Sequence, residues 1–199
     1  MGKNFPSQPI AGELGSFFHH RCLTPTNLMP IYLMPIYSMR EQAVYKTKPK
    51  MTGGCQCGAV RYAVFETPES TICHCRMCQK AVGGPFASFC KVTSACFVWT
   101  LGEPASFQSS SAAERHFCRT CGTPLTFRFL DGDSIEVTTG TLDDAASVPP
   151  TKNFGTESRL PWIDLIAVGR LPDILAAESD NAGRIIVSFQ HPDHDAPDA

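Results

Sequence analysis

No stretch of this 199-residue chain approaches the roughly 18 consecutive apolar residues that a membrane-spanning helix needs. Basic charge is not in excess either. The formal net charge is −2, from 17 Lys/Arg against 19 Asp/Glu, and this excludes a general affinity for nucleic acid or for an anionic membrane surface. Charged residues are sparse at 18%, with 43% apolar, which is an ordinary globular composition with material for a core. The start of the chain lacks the basic n-region, continuous apolar h-region and small-residue cleavage site of a secretory leader. An apolar stripe at helical spacing, longer than two turns, is also missing before residue 160, so a helical bundle is not expected.

Cysteine is abundant, with ten residues, and it is clustered. Seven fall in three short groups: Cys55 and Cys57; Cys73, Cys75 and Cys78; Cys118 and Cys121. Cys22, Cys90 and Cys96 stand alone. Thiols one or two residues apart are poorly placed to bridge each other, and a secreted disulfide framework would have wider spacings. Metal binding in a reducing compartment, the cytoplasm, is the expectation.

Three regions differ in composition. Residues 1–50 hold six Lys/Arg against two Asp/Glu and the near-repeat "LMPIYLMPIYS", and read as a disordered extension or an overextended start. From residue 51 to about 175 the charges nearly balance and β-type runs alternate with turn signals. The runs are Ala59–Phe65, Phe86–Val92, Cys96–Thr100, Pro124–Leu130 and Ser134–Gly140, and they predict a mainly β domain. Residues 176–199 read as a mobile acidic tail.

The outer cysteine pairs supply four thiolates, the closed tetrahedral set of a structural zinc. If "GGCQCG" is extended, Cys55 and Cys57 point to one side, because strand side chains alternate. In "FCRTCG", Cys118 and Cys121 bracket a turn closed by Gly122, and Gly54 and Gly58 also suit positive φ. The middle group "CHCRMC" offers only three thiolates, Cys73, Cys75 and Cys78. Three protein ligands with an open position is how catalytic zinc is held. Cys90, Cys96, His74 or His116 would have to close that shell to make it structural. Cys90 and Cys96 lie in apolar runs and read as small buried hydrophobes. His74 reads as a neighbour of the site and not as a ligand.

"GGCQCGAVRY", "CHCRMCQKAVGGPF", "RHFCRTCGTPLTFR", "GTLDD" and "SRLPW" stand here in an order that resembles the glutathione-dependent formaldehyde-activating enzyme family, which also includes relatives of centromere protein V. The resemblance covers about residues 52–175. It implies a zinc-containing β-tent fold of small antiparallel sheets and two zinc ions per chain. One would be structural, on Cys55, Cys57, Cys118 and Cys121, and one catalytic, on Cys73, Cys75 and Cys78. It further implies a carbon–sulfur lyase that joins a thiol such as glutathione to formaldehyde or another small aldehyde. Arg76, Lys80, Arg115, His116, Arg119 and Arg128 are the cations offered to the two carboxylates of such a thiol. The chain departs from the family at Asn153, Phe154 and Gly155, where a His-Ile-Trp-like stretch is expected. A non-catalytic zinc scaffold that binds a protein partner is the competing expectation, and the sequence does not indicate an oligomeric state.

Overall fold

The computed structural model describes residues 48–167, 169 and 187–194. The expected extension and most of the acidic tail lie outside those residues. The described part is mainly β, as the periodicity predicts, and its strands form two sheets. The smaller sheet joins β1 (Met51–Gly54), β2 (Arg61–Val64) and β5 (Phe97–Leu101), all antiparallel. The larger contains β3 (Glu69–Cys73), β4 (Ala87–Thr93), β6 (Ala105–Ser110), β7 (Ala113–Phe117), β8 (Pro124–Phe129), β9 (Ser134–Thr138) and β10 (Lys152–Phe154). Its order is β10-β3-β4-β9-β8-β7-β6, antiparallel except for the short parallel pair of β10 with β3.

The two sheets share one apolar core. Alternation along β9 sends Ile135 and Val137 inward, where they meet Cys90 and Val92 of β4 and Tyr62 and Val64 of β2. β2 is buried at all four positions because it is the central strand of its sheet. Tyr62 packs on Phe97 and Trp99, and Trp99 in turn meets the His116 ring edge-on. Each such side chain, fully buried, contributes about 1.5–3 kcal/mol of transfer free energy. Cys90 and Cys96 are buried, as expected of small apolar residues.

The "GTLDD" motif ties the sheets together at the edge of the core. Leu142 is buried, and the Tyr62 hydroxyl bonds the Thr141 hydroxyl at 2.7 Å. Asp143 accepts from both terminal nitrogens of the buried Arg61 at 3.1 and 2.5 Å, and from Thr52 at 2.5 Å. A fork-to-fork pair of this kind fixes direction as well as charge.

A second, smaller apolar cluster carries the middle cysteines. Cys73 and Cys78 are buried with Ala87 and Phe89, and Cys75, Val82 and Phe127 pack against them. Helix α1 (Arg76–Val82) follows directly, and it ends at Gly83, whose φ of 66° places it in the left-handed region. A second short helix, α2 (Ile163–Ala167), closes the continuous part.

Candidate metal centres and the adjoining cleft

The sulfurs of Cys55, Cys57, Cys118 and Cys121 lie within 4.8 Å of one another, and none is in a disulfide. Two matching turns bring them together. Cys55 N–H donates to the Val60 carbonyl at 2.9 Å, and Cys118 N–H to the Thr123 carbonyl at 2.9 Å. Gly58 and Gly122 follow the two pairs, each with φ 77°, as an L side chain would resist. Two details differ from the sequence reading. The Cys55–Gly58 stretch turns and is not extended, and Gly54 sits in β1 without positive φ. The sulfurs converge because the chain curls around them.

The chemistry of this donor set fits a soft or borderline metal ion. Burial pushes the Cys55 thiol up to about 12, with the Cys118 and Cys57 sulfurs adding to the rise against a Val60 N–H that lowers it. A divalent cation at the centre would reverse that cost, since metal binding deprotonates thiols. Val60 N–H points at the Cys55 sulfur from 3.3 Å, and the Thr123 hydroxyl lies 3.1 Å from that of Cys121. Burial acts upward on the Cys121 thiol too, but hydrogen bonds from Thr123 and Cys57 together outweigh it and bring it down to about 6.

The sulfurs of Cys73, Cys75 and Cys78 form the second group, again within 4.8 Å of one another. Here a strand-to-helix junction does the work. Cys73 ends β3, Cys75 caps α1 by accepting from Cys78 N–H at 3.4 Å, and Cys78 lies on the first helical turn. Among the described residues no fourth His, Cys, Asp or Glu joins this group. Cys73 and Cys78 are buried and Cys75 is half-buried. Burial pushes the Cys73 thiol up to about 12, so this donor set also suits a cation.

Gln79, which sequence reasoning passed over, helps to hold the junction together with His74, read from the sequence as a neighbour of the site. Gln79 is buried and donates to the His74 carbonyl at 2.7 Å and to the Ser158 carbonyl at 3.0 Å, tying the cysteine loop to the "SRLPW" segment. His74 is buried as well. Its Nε2 meets Asn153 Oδ1 at 3.0 Å, and its backbone N–H donates to the Phe154 carbonyl at 2.8 Å. The departing "NFG" stretch is therefore β10 and the loop after it, lying along the three-cysteine turn. Gly155 backs directly onto Cys75, and a Cβ there would stand 2.8 Å from the Cys75 nitrogen. The sequence showed the CxC-x-x-C spacing and His74 beside it, but not the Gln79, Asn153 and Gly155 contacts. These supports come from segments about 80 residues apart, as the span from His74 to Asn153 shows.

Beside the second group lies a cleft of about 600 Å³. α1 supplies Arg76, Met77 and Lys80, and β6–β8 supply Phe107, Arg115 and His116 among others. Four of the six candidate cations thus line it. Arg128 is instead paired with Glu114 at 2.5 Å, and Arg119 is exposed outside the cleft wall. The three cysteines are not themselves among its lining residues; the link is Arg115, whose Nη2 donates to the Cys78 sulfur at 3.4 Å. His116 accepts or donates at Nδ1 with the Thr126 hydroxyl at 2.8 Å. Burial holds its pKa below the usual histidine value, Arg128 adds to that, and Glu114 opposes it, so the ring is neutral near pH 7.

The chain matches several known proteins. The family described as glutathione-dependent formaldehyde-activating enzyme matches residues 50–158. An uncharacterized lyase of Schizosaccharomyces pombe is 36% identical over 85 residues, 42% of this chain. The match spans 61% of that relative's length. A solved structure of a Rhodobacter sphaeroides protein shares 25% identity with a TM-score of 0.41, covering 51% of this chain and 100% of that one.

Proposed function

Because the chain belongs to the glutathione-dependent formaldehyde-activating enzyme family, we propose that it is a zinc-dependent carbon–sulfur lyase that joins a thiol such as glutathione to formaldehyde or another small aldehyde, and reverses that step. The observation that carries this reading is the contrast between the two sulfur groups. One has four members, and the other has three with no further ligand among the described residues. Cys55, Cys57, Cys118 and Cys121 would hold a structural zinc, and Cys73, Cys75 and Cys78 the reactive one. When bound, that zinc supplies a Lewis acid able to lower a thiol's pKa or polarise a carbonyl.

The reaction is an addition without redox change. The substrate sulfur bonds to the carbonyl carbon, the carbonyl π pair passes to oxygen, and the thiol proton ends on that oxygen. Residues of the cleft have simple tasks in it. Arg76 and Lys80 receive the carboxylates of an anionic thiol, and the apolar walls from Met77 and Phe107 limit water around the reacting atoms. His116, neutral near pH 7 and on the cleft wall, would take up and return the proton.

Metal counting on wild type, Cys118→Ser and Cys75→Ser, together with an assay of glutathione plus formaldehyde, tests the reading. Cys118→Ser should lose the fold. Cys75→Ser should keep the fold, lose one zinc per chain and lose turnover. A Cys75→Ser protein that collapses as Cys118→Ser does, or a wild type that holds two zincs and turns over no thiol–aldehyde pair, favours the non-catalytic scaffold instead.

A further inference from the structure

Arg115 stands where the three-cysteine group and the cleft meet, and its surroundings differ from those of every other cation near the site. It lies on β7, in register with Phe107 of β6 on one side and Phe127 of β8 on the other. Its guanidinium carbon sits 4.8 Å from the centre of the Phe127 ring. That ring is itself packed against Phe89 and Phe129, so the seat is firm. From this seat Nη2 donates to the Cys78 sulfur at 3.4 Å. Among the described residues, no carboxylate comes within salt-bridge distance of Arg115, although its charge also acts on Glu136, which shares Phe127 as a cross-strand neighbour. By contrast, Arg128 is committed to Glu114, and Arg76 donates to the Gln79 side chain at 3.1 Å.

We propose that Arg115 is a positioning residue for the three-cysteine metal. It fixes the Cys78 sulfur in place and neutralises the excess negative charge that three thiolates place around a divalent ion. The arithmetic is simple: three thiolates and a divalent cation sum to −1. A half-buried net charge is costly to hold away from water. A guanidinium in hydrogen-bond contact with one thiolate brings the assembly to zero and draws electron density from that sulfur. Arginine suits the task because it is always charged, and its planar fork stays aimed while stacked on an aromatic face. Groups that orient and tune ligands from just behind them are typically worth 10–100-fold in metal affinity. This inference rests on the reading that the three cysteines hold a metal, and it does not depend on which reaction follows.

The test uses full-length protein loaded with Co²⁺, whose sulfur-to-metal charge-transfer band reports directly on the thiolates. Chelator-driven release of each metal is followed in wild type, Arg115→Met, Arg115→Lys and Arg115→Gln. Lys50→Met, which changes an exposed cation outside the cleft and both cysteine groups, is the control. In Arg115→Met the three-cysteine metal should leave about 10–100-fold faster, while the four-cysteine metal leaves at the wild-type rate. The charge-transfer band should move to lower energy, because an unbonded thiolate gives up electrons more readily. Arg115→Lys should recover part of the lost retention. Wild-type release and an unmoved band in Arg115→Met would overturn the proposal, as would an equal effect in Lys50→Met. If Arg115→Met fails to fold, Arg115→Gln decides alone, since it keeps the donor and loses the charge: wild-type release there overturns the proposal. Metal retention is read without any substrate, so an absence of thiol–aldehyde turnover in wild type would sink the reaction and leave this assignment standing.

Discussion

Replacing Gly155 by alanine asks how tightly β10 and its loop brace the three-cysteine turn, and Gly83 provides an internal reference. Both glycines have φ 66°, so the left-handed backbone penalises a Cβ equally at the two sites. That penalty is about 1–2 kcal/mol, of which the lower entropy of the unfolded alanine chain returns about 0.4–1 kcal/mol. At Gly83 nothing lies within 4 Å of the new atom, and a net loss of about 1 kcal/mol is expected. At Gly155 the Cβ would meet Cys75 at its nitrogen (2.8 Å), Cβ (3.0 Å) and Cα (3.2 Å). Two of those atoms are backbone and cannot rotate aside, so overpacking adds about 1–3 kcal/mol. Gly155→Ala should therefore cost about 2–4 kcal/mol in urea unfolding, against about 1 kcal/mol for Gly83→Ala. The displaced atoms belong to a candidate ligand, so Gly155→Ala should also lose one metal per chain while keeping the other. Equal destabilisation of the two variants, or full metal content in Gly155→Ala, would refute this account of the brace.

Two more outcomes follow from charges outside the cysteine groups. Asp143→Ala removes the carboxylate that faces the buried Arg61 and should cost about 3 kcal/mol, seen as a lower urea midpoint with unchanged slope. Glu136 on β9 is half-buried; burial raises its carboxyl pKa, and Lys91 and Arg115 only partly offset this. The folded chain therefore holds that proton more tightly than the unfolded one. Its stabilising effect is complete below the unfolded value of 4.5 and is lost as pH rises through the folded value. Glu136→Gln should accordingly be more stable than wild type near neutral pH, with the gain vanishing below about pH 4 in parallel urea titrations. A gain that persists in acid would show that charge is not its source.

Strands with clean alternation were legible in the sequence. Pro124–Phe129 and Ser134–Thr138 fall where the apolar periodicity placed them. β6 and β10 were not, and the reason is visible in their burial. β6 is an edge strand with a largely exposed run, and β10 is exposed along its length. Neither has an apolar face for a period to reveal. β3 was missed because its residues Glu69–Cys73 mix polar and apolar side chains beside the cysteine loop.

For the site, cysteine spacing sorted seven sulfurs into a pair, a triplet and a second pair, because turns only a few residues long leave neighbouring thiols little freedom to separate; the meeting of the two pairs, with Cys57 and Cys118 61 positions apart, was settled by the fold. Spacing also named the cations, but not their partners. Which arginine would face Cys78, which would pair with Glu114, and that Gln79, Asn153 and Gly155 would brace the cysteine loop depended on strand order and register. Those are set by contacts between residues some 40 to 80 positions apart, as Arg115 with Cys78 and His74 with Asn153 illustrate. Local chemistry along a chain carries no record of such pairings; they exist only once the two sheets have closed on their common core.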